Sequence, residues 1–242
     1  MSRMSRRSGA AETEDRTAEA RSPAFAGEFE VHLTVRDDGA PEMAGQLAAH
    51  AAAHRMKYVH ILLEQGAVPS QPMLTLHGTG TYAEIRSQAA AAADGLRAAG
   101  FSVVRTKIEA TPWSAGVPGS DGEAVALGPD YYFEHHLKLV LAPAAPVGPL
   151  LTLATGHGAH LSRNARRVRS DGRLERFVTQ RCRLVGRATA DRRLDALSAE
   201  LRGAGHRIAS VEREFVVHDG NIALDAGWLD EQNTVTGELS GA

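Results

Sequence analysis

Cysteine is almost absent from this 242-residue chain: Cys182 is the only one, so no intramolecular disulfide framework exists and nothing points to an oxidising compartment. Lysine is nearly as scarce. Of 27 basic residues only Lys57, Lys107 and Lys138 are lysines, a bias of the kind GC-rich bacterial coding produces. No apolar run approaches the roughly 20 residues that a membrane-spanning helix needs. Surplus charge is also missing. A net charge of −2 argues against wholesale binding to nucleic acid or a membrane surface, although local patches leave nucleic acid open. The paired arginines near the start are not followed by the apolar core of an export signal. Residues 1–27 are polar and small, and are expected to be a disordered tail of a cytoplasmic protein.

What the chain does have is a repeat. FEVHLTV at 29–35 returns as FEHHLKL at 133–139. Around each copy the hydrophobic period switches between two and 3.6 in the same order: strand, helix, strand, strand, helix, strand. In the first half the helices are the Ala-rich stretch after Pro41 and TYAEIRSQAAAAADGLRAAG, which stops at Gly100. In the second they are GPLLTLAT and ATADRRLDALSAELRGAG. An offset of about 104 or 105 residues overlays Phe29 on Phe133, Glu30 on Glu134, His32 on His136 and Glu109 on Glu214. The expected fold is α+β: two tandem ferredoxin-like (βαββαβ) lobes from an internal duplication. Their bounds are 28–113 and 130–229, with a Gly/Pro/Ser-rich loop at 114–129 between them and a tail at 230–242.

In such a lobe the helices cover one face of the sheet and leave the other open to water, a partner or the sister lobe. Alternation puts Phe29, Val31, Leu33 and Val35 under the helices, and Glu30, His32 and Thr34 on the open face. The same reasoning sends His60, His77, Arg105, Lys107 and Glu109 there, and Glu134, His136, Lys138, Ser210, Glu212 and Glu214 in the second lobe. Two readings fit. A half-solvated antiparallel sheet carries such residues as cross-strand pairs. Alternatively, histidines beside carboxylates and amines form a site, and if the two faces meet they must pair or bind something charged.

His32-Leu33-Thr34 resembles the His-x-Thr motif of two-histidine phosphoesterases, a family of duplicated bilobal folds. The resemblance implies that His32 and His136 trade protons at a phosphoester while Thr34 and Lys138 hold its oxygens. Lys138 stands where that motif has a hydroxyl, and a further His160-Leu161-Ser162 matches the tripeptide. Glu28, Glu30 and His32 also resemble the opening Glu-x-Glu-x-Lys of triphosphate tunnel metalloenzymes, with His in place of Lys. That likeness implies a divalent metal such as Mg²⁺ held by carboxylates, here with Glu212 and Glu214. Both imply a small anionic or phosphorylated ligand, and the expected function is that of a phosphoester- or nucleotide-acting protein. The alternative to an enzyme is a non-catalytic binding or regulatory module for an anionic ligand or partner protein.

Arginine is concentrated in one predicted hairpin: Arg163, Arg166, Arg167, Arg169, Arg173, Arg176, Arg181 and Arg183. Guanidinium forks suit phosphate, and Arg163, Arg166 and Arg167 are candidate ligand contacts. A solvated hairpin whose arginines pair with nearby acids fits equally. Few aromatics are interleaved, which disfavours base stacking. His50 and His54 have metal-capable i, i+4 spacing, but no third ligand lies nearby in sequence. Gly78 and Gly80 precede a helix without a phosphate-loop lysine and read as a turn. Cys182 has no histidine near it in sequence and reads as structural. NIALDAGWLD, after the last strand, is expected to fold back as an apolar cap without chemistry.

Overall fold

The structure, a computed structural model, describes residues 24–143, 145–165 and 169–227; most of the predicted tail 1–27, and all of 230–242, lie outside these. Eight strands are present among the described residues: β1 (Ala26–Val35), β2 (Lys57–Leu63), β3 (Ser70–Thr81), β4 (Val103–Ala110), β5 (Tyr132–Leu141), β6 (Ala159–Asn164), β7 (Leu174–Arg183) and β8 (Arg207–Asp219). Five α-helices join them: α1 (Met43–Ala53), α2 (Tyr82–Ala98), α3 (Asp121–Leu127), α4 (Val147–Gly156) and α5 (Arg187–Gly203). A short 3₁₀ turn, Ile222–Asp225, follows β8. The protein is therefore α+β, and among the described residues no helix is long and apolar enough to cross a membrane.

All strand pairs are antiparallel and close into one barrel in the order β1-β3-β2-β6-β7-β5-β8-β4. Two seams between the halves of the chain close it. At one, Ile61, Leu62 and Leu63 of β2 face Asn164, Arg163 and Ser162 of β6. At the other, β4 lies beside β8, with a bulge between Ile108 and Glu109. The sheet faces without helices thus meet and enclose a lumen instead of lying open. Eight strands leave an interior that side chains nearly fill or that holds one small ligand.

The helices pack outside, for reasons written in their sequences. Thr81 and Glu84 form a reciprocal capping box that starts α2, whose Ile85, Ala89, Ala93 and Leu96 make one buried stripe. Gly100, at φ +92°, takes the left-handed turn just past its end. In α5 the buried stripe is Ala190, Leu194, Leu197 and Leu201. Phe29, Val31 and Leu33 meet the first stripe in one apolar core, and Leu137, Leu139 and Leu161 meet the second in another. The segment expected to be only a loop, 114–129, contains α3, because Ser120 and Glu123 make a second capping box there.

Candidate functional site

Because side chains alternate along each strand, one residue in two points into the barrel. Glu30, His32 and Thr34 from β1 and Glu134, His136 and Lys138 from β5 line a single cavity of about 220 Å³, as the alternation predicts. Arg105 and Lys107 from β4 line it too, with Arg181 from β7 and Glu212 and Glu214 from β8. Glu109 is buried within the same wall. All three lysines of the chain, Lys57, Lys107 and Lys138, face this cavity. On the other side apolar groups make up part of the wall: Val59, Ile61 and Leu63 of β2, Met73 of β3 and Phe177 of β7.

Two expectations are corrected. His60 does not join the lumen: Val59 and Ile61 take the inward positions, and His60 pairs outside with Ser70 (Nε2 to Oγ, 2.8 Å) and Asp37. Strand β2 is apolar on both faces, so its period does not reveal which face is inside. Arg163 is exposed on the outward face of β6, while its neighbours His160, Ser162 and Asn164 line the cavity. Arg166 and Arg167 lie outside the described residues. Elsewhere in the hairpin Arg169 pairs with Asp171 and Glu175, and Arg176 with Glu64. Arg181 alone of the described hairpin arginines lines the lumen.

At the centre stand two matching sets of three side chains. His32 Nδ1 is 2.9 Å from the Thr75 hydroxyl, and its Nε2 is 2.7 Å from Glu109 Oε2. His136 Nδ1 is 2.9 Å from the Thr179 hydroxyl, and its Nε2 is 3.0 Å from Glu214 Oε2. In each half the threonine sits directly across the strand pair from its histidine. The hydroxyl fixes the ring and aims Nε2 at a carboxylate, as a histidine that handles protons or a metal requires.

Lys107 ties the halves together. Its Nζ lies 2.6 Å from Glu109 Oε1 and 2.7 Å from Glu134 Oε1. Burial opposes the lysine's charge, but the two carboxylates outweigh burial and hold it firmly protonated. Glu109 and Glu134 are held ionised in return, against burial, by Lys107 foremost and by His32 and Arg181 respectively. Glu214 behaves oppositely: burial and the nearby Glu109 charge raise its pKa. Burial also works against a charge on His136, yet Glu214 and Glu134 lift it to about 9, an imidazolium at neutral pH. His160 is held neutral by burial and by the Arg181 charge.

Ligand atoms of Glu109, His136 and Glu214 lie within 4.8 Å of one another, the one metal-capable grouping among the described residues. Mixed nitrogen and oxygen donors of this kind suit a borderline divalent ion. The lumen continues past Glu30, Lys57, Glu212 and Glu214 into a second cleft bordered by His77 and by Trp113, which is 69% exposed. At the other end, where β1 finishes and β4 begins, Arg105 meets Asp219 and Asp225. Both acids escaped the sequence reading. Their only sequence signal is a pair of acids flanking the end of the last strand. No family model, curated protein or solved structure matches the chain.

Proposed function

We propose that the chain binds a small organic phosphate ester in the barrel lumen and hydrolyses it with His32 and His136. The observation that carries this reading is the convergence of two matching Thr–His–Glu sets on one cavity. Water attacking phosphorus forms a P–O bond and gives its proton to one imidazole, His32. The bond to the leaving oxygen breaks, and that oxygen takes a proton from His136. Lys138 and Thr34 face the same space and offer a charge and a hydroxyl to the phosphate oxygens. The apolar part of the wall, with Val59, Ile61, Met73 and Phe177, suits the organic group.

Both family resemblances share a phosphate-bearing substrate. The closed barrel favours the likeness to triphosphate tunnel metalloenzymes, and the paired histidines favour the two-histidine phosphoesterases. We further infer that the halves are copies of one ferredoxin-like unit. The recurring element order supports this, as does the strand order, β4-β1-β3-β2 in one half and β8-β5-β7-β6 in the other.

A second reading, a binding module without turnover, is favoured by one observation: Arg105, Lys107 and Arg181 are already paired with carboxylates of the protein. Turnover of p-nitrophenyl phosphate and bis(p-nitrophenyl) phosphate, run beside thermal shifts with and without divalent metals, separates the two. Hydrolysis lost in both His32→Ala and His136→Ala supports the enzyme. A ligand at a hundred times its Kd stabilises the fold by roughly 2.7 kcal/mol, so a shift without turnover supports the module. Neither shift nor turnover overturns both.

A further inference from the structure

The 3₁₀ turn after β8 is an unusual cap. Ile222 is nearly half exposed, and the only buried residue of the four is a charged one, Asp225. Its carboxylate enters the barrel end and takes both guanidiniums there: Oδ1 is 3.0 Å from Arg105 Nη1, and Oδ2 is 2.9 Å from Arg105 Nη2 and 2.8 Å from Arg181 Nη2. Those arginines come from β4 and β7, which are not neighbours in the barrel. Each already has a carboxylate on a strand: Asp219 takes Arg105 through Nε (2.8 Å) and Nη2 (2.6 Å), and Glu134 takes Arg181 through Nε (2.7 Å). Asp225 is thus a third acid on two cations that the strands alone would neutralise. Charge balance between the strands does not require it.

We propose that Arg105 and Arg181 form an anion seat at the capped end of the lumen, shaped for the phosphate of the ligand, and that Asp225 is its resident occupant, displaced when the ligand binds. The proposal rests on the reading of the lumen as a phosphate-ester site. Two fork-shaped donors around one pair of oxygens bind carboxylate and phosphate alike. A phosphate carries more charge and more acceptor oxygens than a carboxylate, so it competes for the same forks. Among the described residues few other hydrogen bonds tie the turn to the barrel: the Ala226 carbonyl accepts from the Ala67 amide at 2.9 Å, Asn221 Nδ2 donates to the Val104 carbonyl at 3.0 Å, and the Gly220 amide just before it donates to the Thr106 carbonyl at 2.9 Å. An anchor of that size can release without unfolding the barrel.

The probes are inorganic phosphate and phenyl phosphate, titrated calorimetrically into the full chain and into Asp225→Asn. Removing the resident charge is expected to tighten both by about tenfold or more, and adding Arg181→Gln is expected to abolish the gain. Unchanged or weaker binding by a folded Asp225→Asn overturns the seat. Should that variant not fold, hydrogen exchange on the wild type decides. Saturation with phenyl phosphate should speed exchange of the amides of residues 221–227, and unchanged or slower exchange overturns the displacement. A tightened Asp225→Asn with no turnover by the wild type keeps the seat and removes the hydrolase. Turnover without tightening does the reverse.

Discussion

Lys107 Nζ lies 2.7 Å from Glu134 Oε1, although the strands that carry them, β4 and β5, share no hydrogen bonds. The ion pair spans β8 and joins the two halves of the chain inside the barrel. Removing one partner of a buried pair leaves the other charge uncompensated, at a cost of about 3–5 kcal/mol. Lys107→Met strands two carboxylates, Glu109 and Glu134, and is expected to fall in that range by urea denaturation. A loss below about 1 kcal/mol would show that water reaches this centre freely.

The two faces of β1 should respond in opposite ways. Leu33 is fully buried under the helices, and Leu33→Ala is expected to cost about 2–5 kcal/mol of stability, as large-to-small core changes do. Thr75→Val removes the hydroxyl that orients His32 while nearly keeping the side chain's shape. It should lower turnover at least tenfold with a much smaller loss of stability. Equal damage to both quantities would make the Thr75–His32 contact structural.

Stability should fall on mild acidification. His135 lies beneath α5 on the outer face of β5, hydrogen-bonded to Gln180, and burial lowers its pKa; His160 is likewise depressed by burial. For a histidine held neutral in the fold, the contribution is complete above the unfolded value of about 6.5 and is lost as pH falls through the folded value. The urea midpoint is therefore expected to drop between about pH 6.5 and 5, and His135→Gln should flatten that limb. A midpoint that rises over this interval would contradict the assignment.

Cys182 tests the outer core independently of any ligand. Burial pushes its thiol up to about 11, and the residue is 1% exposed. At pH 8 the thiolate fraction is on the order of one in a thousand. A thiol-specific disulfide reagent should leave the native protein unmodified for hours and react at once in urea. Rapid native labelling would mean that β7 opens locally.

Period two alone was enough to place Glu30, His32, Lys107, Glu134 and His136, because their strands carry apolar residues mainly on one face. It was not enough on β2, where Val59, His60 and Ile61 offer no contrast between faces. Thr75 and Thr179 went unremarked since threonine is ordinary in strands. Their signal was positional: they repeat at the same offset, 104, as His32 and His136. Closure of the barrel could not be read, because an open and a closed sheet show the same alternation, and the β2–β6 and β4–β8 seams depend on strand shear. The Asp225 contacts join residues 120 and 44 positions apart, beyond any local pattern.

The scarcity of lysine turns the lumen into an address for amine chemistry. Each lysine faces the cavity at a different depth: Lys57 is exposed where the lumen meets the outer cleft, the Lys138 side chain is 19% accessible, and the Lys107 side chain is 10% accessible and clamped between two carboxylates. An acylating or reductively methylating reagent finds no other side-chain amine, and arginine does not compete for it. Such reagents need the free amine, so Lys107, held protonated between two carboxylates, stays unlabelled in the native fold. Labelled methyl groups on Lys57 and Lys138 would give a two-point depth gauge of the barrel interior, one resonance at the entrance and one along the wall. Whatever enters the lumen would be registered by them in the order in which it passes.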